Sequence, residues 1–176
     1  AVAGLIKSAG ALVIPAVGAK LPPALFDNTS LRLVQVTGAG VDRLDRAALT
    51  KLGIHVANVA GGSNSAVAEY AVTTASMLLR RFAWADAELK SGNYAKFRTR
   101  MVSDNLSGLE GLLIGVVGFG TIGRAVAQAF HRMGCRIGYF DPAVSDKTAA
   151  AAIGARSMPL DELLAQADVV TLHVPL

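Results

Sequence analysis

The chain has 176 residues, 52% hydrophobic and 17% charged, which excludes disorder, a state that needs low hydrophobicity and a large net charge. Lys and Arg number 17 against 13 Asp and Glu, a formal charge of +4. No uncharged run reaches the ~18 apolar residues of a membrane span, and the single cysteine, Cys135, excludes a disulfide scaffold and suits a reducing, cytoplasmic setting. The basic residues are scattered: the nearest thing to a cluster, Lys90, Lys96, Arg98 and Arg100, belongs to no recognisable nucleic-acid module and reads as a solvated basic loop. No secretory signal opens the chain, and it does not begin with Met, so its start is expected to be missing.

In chain order, Val2–Ile6 and Ala11–Ile14 read as short buried runs. Pro22-Pro23 before Ala24-Leu25-Phe26 suggests a helix start, since proline is tolerated in a first turn. Leu31–Val36 is a compact strand ending at Thr37-Gly38-Ala39-Gly40. Asp45–Leu49 reads as a helix stopped by Gly53, and Ile54–Ala57 as another strand. Short apolar runs alternating with helices are the α/β pattern.

Gly61–Ser65 breaks that pattern and supplies helix-capping side chains. Val67, Ala71, Ala75, Leu78 and Phe82 then recur at helical spacing, with Glu69 early and Arg80-Arg81 late, complementing the helix dipole. Apolar on nearly every side, this helix is expected to be buried on several faces, between domains or at a subunit contact. The polar stretch Lys90–Gly108 reads as a long connection.

Leu112–Val117 is an apolar strand that runs into Gly118-Phe119-Gly120-Thr121-Ile122-Gly123. A lone G-x-G-x-x-G is weak evidence, but here it closes a strand and opens a helix, the context a dinucleotide site requires. The helix carries an apolar stripe of Ile122, Ala125, Val126, Ala129, Phe130 and Met133, and Gly134 ends it. The next strand, Arg136–Phe140, stops at Asp141, about 20 residues beyond the third glycine, where an acid can accept hydrogen bonds from the adenosine ribose.

In this pattern Gly118 permits the tight turn, Gly120 lets the pyrophosphate approach the backbone, and Gly123 lets helix and strand pack closely. The amides around Thr121 and Ile122 sit at a helix N-terminus and favour an anion. A carboxylate at Asp141, followed by Pro142-Ala143-Val144 with no arginine, predicts NAD rather than NADP. Leu160–Ala165 reads as a helix and Asp168–Leu176 as a buried strand. Ligands bind outside the carboxyl ends of such strands, so Val174 and Pro175 are expected near the adenosine half. His173 is read first as a strand-end histidine with a partly packed ring, and kept beside them as a candidate cofactor contact.

These motifs resemble the D-isomer-specific 2-hydroxyacid dehydrogenase family over almost the whole chain. The resemblance rests on Gly38-Ala39-Gly40-Val41-Asp42, on Asn64 with Ala66-Val67-Ala68-Glu69, on the Gly118–Gly123 turn, on Tyr139-Phe140-Asp141-Pro142 and on Leu172–Leu176. It implies an α/β protein of two Rossmann-like domains flanking a cleft: a flavodoxin-like substrate domain (1–66) and a doubly wound NAD-binding domain (67–176), both expected to be incomplete here. It further implies a homodimer, and a turn whose amides at Ala39 and Gly40 meet the substrate carboxylate, as a nest of N–H groups can.

The family's catalytic Arg, Glu and His are expected downstream of Leu176, so no catalytic residue is assigned within 1–176, and no metal. His55, His131 and His173 read as core, helix-surface and strand-end residues, and Cys135 as a packing residue. Many relatives carry a basic residue where Thr121 stands, so phosphate contact here would use backbone and hydroxyl. The implied activity is hydride transfer between NAD(H) and C2 of a small 2-hydroxy or 2-keto acid. An NAD-sensing, corepressor-like binding protein on the same fold is the alternative from another class. A formate- or phosphite-oxidising relative stays open, because Gly62-Ser63-Asn64 does not decide it.

Overall fold

The computed structural model describes residues 2–106, 108–144 and 147–174. The chain forms two compact units, 1–63 and 64–176. Among the described residues no helix is long and apolar enough to cross a membrane.

The first unit contains α1 (Val2–Ile6), β1 (Ala11–Ile14), a 3-10 turn (Pro23–Phe26), β2 (Leu33–Val36), α2 (Arg46–Lys51) and β3 (His55–Ala57). Its sheet is parallel, in the order β1-β2-β3. The central strand supplies the best-buried residues, Val34 and Val36, which pack with Ile6, Phe26, Leu31 and Leu49. The cap of α2 follows the sequence: Asp45 Oδ1 accepts a hydrogen bond from the Ala48 amide at 2.9 Å, as an N-cap acid does.

Two expectations fail in this unit. Val2–Ile6 is a helix rather than a buried run, with Ile6 inward and Leu5 74% exposed. In β1 only Ile14 is buried, because among the described residues β1 is an edge strand and Val13 has no layer over it.

The second unit contains α3 (Asn64–Leu79), α4 (Phe82–Lys90), α5 (Tyr94–Ser103), β4 (Leu113–Val117), α6 (Thr121–Arg132), β5 (Arg136–Phe140), α7 (Thr148–Ala151), β6 (Arg156–Ser157), α8 (Leu160–Gln166) and β7 (Val169–Leu172). Its parallel sheet runs β6-β5-β4-β7. Ile114, Val116, Ile137 and Tyr139 face the layer of α3 and α6. Gly115 and Gly138 let α8 close on the opposite face: a Cβ on Gly138 would come within 2.8 Å of Leu163, and one on Gly115 within 2.9 Å of Ala167. Helices on both faces make the unit doubly wound. The order also reverses at β4, which has β5 on one side and β7 on the other.

Five local expectations change here. The helix expected to run through Phe82 breaks before it, with Arg81 left-handed at φ 50°; Arg81 Nη1 pairs with Asp104 Oδ2 at 2.6 Å, and Arg80 donates to the Leu106 carbonyl. Helix α3 buries Ala68 and Ala75, yet Tyr70 and Leu78 are both 73% exposed, because within this unit only α6 covers it over much of its length.

The supposed connection over 90–108 is largely the helix α5. Phe97 is buried there, its ring 4.7 Å from Trp84, with the Arg81 and Arg100 guanidinium groups over the indole. The strand expected over 168–176 spans Val169–Leu172 in the described residues and is only half-buried, Leu172 being 68% exposed. Among the described residues it is an edge strand, and its second face lacks a neighbour. On α6 the buried stripe is Gly123, Val126, Ala127 and Phe130; Met133, expected in it, caps the helix and is half-exposed.

Candidate functional site

The fold brings the carboxyl ends of β4 and β7 together at the point where strand order reverses, the usual place for a ligand in an open α/β sheet. The turn between β4 and α6 fills it. Gly118 has φ +90°, and a Cβ there would lie 2.6 Å from the His173 carbonyl oxygen. Its amide donates to the Phe140 carbonyl at 2.9 Å. A Cβ on Gly123 would collide with the Gly118 carbonyl oxygen, so α6 starts as close to the strand as backbone allows. Around Gly120 the opposite holds: a Cβ would meet nothing within 4 Å. The middle glycine therefore faces open space.

The first hydrogen bond of α6 joins the Arg124 amide to the Gly120 carbonyl at 2.9 Å. Among the described residues, no acceptor faces the amides of Gly120, Thr121, Ile122 or Gly123. These unpartnered amides, at the positive end of a 12-residue helix, make the start of α6 a ready anion site.

Asp141 borders this turn. Its Oδ2 accepts from the Phe119 amide at 2.7 Å and its Oδ1 from the Ala143 amide at 2.9 Å. A carboxylate has about four lone-pair directions, so each oxygen keeps one for a hydroxyl. The residues therefore fit a dinucleotide: bare amides for the diphosphate, an acid for the ribose, and room where a side chain would intrude.

His173 and Val174 form the opposing wall. The His173 amide donates to the Val117 carbonyl at 2.8 Å, and its Nε2 lies 2.8 Å from Thr171 Oγ1. Burial lowers the imidazole pKa below its ordinary value, so the neutral ring is favoured near pH 7. Pro175, expected beside them, lies outside the described residues.

Turning to the other candidates, the Gly38–Gly40 turn follows β2 in the first unit. The Val59 amide donates to the Gly38 carbonyl at 3.1 Å, and Asn58 Nδ2 to the Ala39 carbonyl at 2.7 Å. Among the described residues the amides of Ala39, Gly40 and Val41 meet no acceptor. His55 opens β3, at the end of the strand away from that turn, and His131 lies exposed in the last turn of α6. Cys135 is 4% exposed, donates to the Leu109 carbonyl at 3.2 Å, and has its thiol pKa raised by burial. No cluster of three potential metal ligands occurs among the described residues.

Residues 72–176 match the family described as D-isomer specific 2-hydroxyacid dehydrogenase, NAD binding domain. The chain belongs to this family. D-3-phosphoglycerate dehydrogenase of Bacillus subtilis (strain 168) is 35% identical over 158 residues, which is 89% of this chain and 29% of that protein. The pyruvate reductase of Chlamydomonas reinhardtii superposes with TM-score 0.69 at 30% identity, over 99% of this chain and 50% of its own. The apo D-mandelate dehydrogenase of Rhodotorula graminis superposes with TM-score 0.84 at 23% identity, over 99% of this chain and 55% of its own, a likeness of fold. The chain thus spans between 29% and 55% of the length of these relatives.

Membership makes the second unit an NAD-binding Rossmann domain, as the glycine turn predicts, and NAD its cofactor. Two contributors to this turn escaped the sequence. Arg124 folds back so that its Nε donates to the Phe119 carbonyl at 3.0 Å, bracing the turn from the helix side. Phe119, fully buried, stacks on Tyr139 with ring centroids 4.1 Å apart, fixing the turn to β5. An arginine directly after the third glycine and an aromatic between the first two were the available signals, and neither has a spacing rule to distinguish it from an ordinary helix or core residue.

Proposed function

We propose that this chain is part of an NAD-dependent D-2-hydroxyacid dehydrogenase, holding NAD in residues 67–176 and the substrate carboxylate in residues 1–66. The observation that carries this reading is the set of four unpartnered amides from Gly120 to Gly123 beside Asp141. In it, Thr121 and Ile122 donate backbone N–H groups to the diphosphate, with the Thr121 hydroxyl as a further donor, and Gly118 and Gly123 keep the turn close to the strand. Asp141 accepts the adenosine ribose hydroxyls and repels a 2′-phosphate. His173 and Val174 bound the adenosine side, continued by Pro175.

The free amides of Ala39 and Gly40 bind the carboxylate of a small 2-keto acid. Bound NAD supplies the hydride acceptor or donor at nicotinamide C4, while the protein contributes position and charge. The proton at the C2 oxygen and the cationic anchor come, by family resemblance, from a histidine with its acid and from an arginine that follow Leu176 in the full protein.

The exposed apolar residues of α3, Tyr70, Met77 and Leu78, support a homodimer, since such a face is normally covered. The single buried cysteine suits a cytoplasmic setting.

The test is NADH oxidation by the full-length protein over a panel of 2-keto acids. Turnover of at least one, abolished when Gly120 is replaced by Val, is expected. Binding of NADH without turnover of any keto acid would contradict the enzyme assignment.

A further inference from the structure

Three loops meet at the carboxyl ends of β1, β2 and β3 in the first unit, and their chemistry is one-sided. Pro15–Ala19 follows β1, Thr37–Val41 follows β2 and Asn58–Gly62 follows β3. The first is packed on the second: a Cβ on Gly38 would lie 2.8 Å from Ala16 Cβ. The third is bonded to it through Asn58 Nδ2 and the Val59 amide. Ala16 lies against this turn, and the apolar side chains of the flanking loops, Val17 and Val59, are 81% and 46% exposed.

The cations nearest these loops in sequence are Lys20 and Arg43, and Arg43 is committed elsewhere. Its Nη1 donates to the Pro15 carbonyl at 2.7 Å and its Nε to the Ala19 carbonyl at 3.0 Å, so the guanidinium braces the loop from within. Lys20 lines a hollow with Pro22, Asp42 and Asp45 that includes no residue of the Gly38–Gly40 turn.

We infer that these loops select 2-keto acids whose substituent is uncharged and apolar, and discriminate against substrates carrying a phosphate, with Val17 a specificity-determining position. This rests on the proposed role of Ala39 and Gly40 in holding the substrate carboxylate. A keto acid anchored there extends its substituent past Ala16, Val17 and Val59. An apolar group gains contact with them, whereas a phosphate dianion loses water and, among the described residues of these loops, finds no counter-charge to replace it. The inference separates this chain from its D-3-phosphoglycerate dehydrogenase relative despite their 35% identity.

The experiment uses the full-length enzyme with NADH and a matched pair of substrates, the 2-keto forms of D-glycerate and of D-3-phosphoglycerate, which differ only in the phosphate. The unphosphorylated acid is expected to show a kcat/KM higher by about tenfold or more, the range that one unmet charged contact produces. Val17→Arg should move that ratio toward the phosphorylated acid by about tenfold, and the shift should shrink at high salt, as exposed charge pairs do. A wild-type enzyme that reduces the phosphorylated acid equally well or better would overturn the inference and leave the proposed function standing. An unchanged ratio in Val17→Arg would overturn the role of Val17. If wild type binds NADH and reduces no keto acid, the proposed function itself fails, and this inference with it.

Discussion

The Asp141 carboxylate accepts a hydrogen bond from the Phe119 amide at 2.7 Å, so the acid placed to hold the ribose also fixes the glycine turn that would hold the diphosphate. One side chain couples the two halves of the site. Asp141→Ala should therefore weaken NADH binding by more than a lost ribose contact alone, about 2–3 kcal/mol, or 30- to 150-fold in Kd. Asp141→Asn keeps an acceptor for Phe119 and should fall between the two. Calorimetric titration of NADH into each variant of the full-length protein checks this; equal loss in both variants would show that the contact to Phe119 carries no weight.

The glycines of the turn should separate stability from binding. A Cβ on Gly123 collides with the Gly118 carbonyl oxygen, while one on Gly120 meets only open space. Gly123→Ala is expected to destabilise the second unit by about 3 kcal/mol or more, the upper range for overpacking. Gly120→Ala should melt within about 2 °C of wild type yet bind NADH at least about tenfold more weakly. Thermal melts with and without NADH distinguish the two outcomes.

How much of this was legible beforehand differs sharply along the chain. The β4–α6–β5 module could be read because each glycine, the helix stripe and Asp141 are local signals at fixed spacing. Asp45 and Gly53 likewise marked the ends of α2. Helix α5 was not legible: its residues are polar, and what holds it is Phe97 packed on Trp84, a contact made by folding. The burial of β1 and β7 depends on their being edge strands among the described residues, which follows from sheet order and not from their apolar composition. The free amides at Ala39 and Gly40 needed the resemblance to be noticed, because an ordinary flexible turn has the same letters.

Trp84 reports on that α4–α5 pair. Phe97 is 8% exposed, and its truncation to Ala should cost about 3 kcal/mol. Because the indole loses its ring partner and becomes wetter, Trp84 emission should shift to the red. Trp84 is the single tryptophan of these 176 residues. An unshifted spectrum in Phe97→Ala would show that the two helices do not depend on this contact.

His173 should imprint a pH dependence on stability. Burial holds its pKa below the ordinary value, so the unfolded chain binds this proton more readily than the folded one. Stability therefore rises with pH through this window and falls as pH drops below about 6.5, the unfolded value. His173→Gln should flatten the melting temperature between roughly pH 5 and 7 relative to wild type. Parallel melting curves for the two proteins across that range would contradict the assignment.

Cofactor choice is the most direct test of the account. Titration of NADH and of NADPH into the full-length protein should show NADH binding more tightly by about tenfold or more, since in the proposed site Asp141 would accept ribose hydroxyls and would meet a 2′-phosphate with like charge. Equal or tighter binding of NADPH, or no heat from either nucleotide, would contradict it.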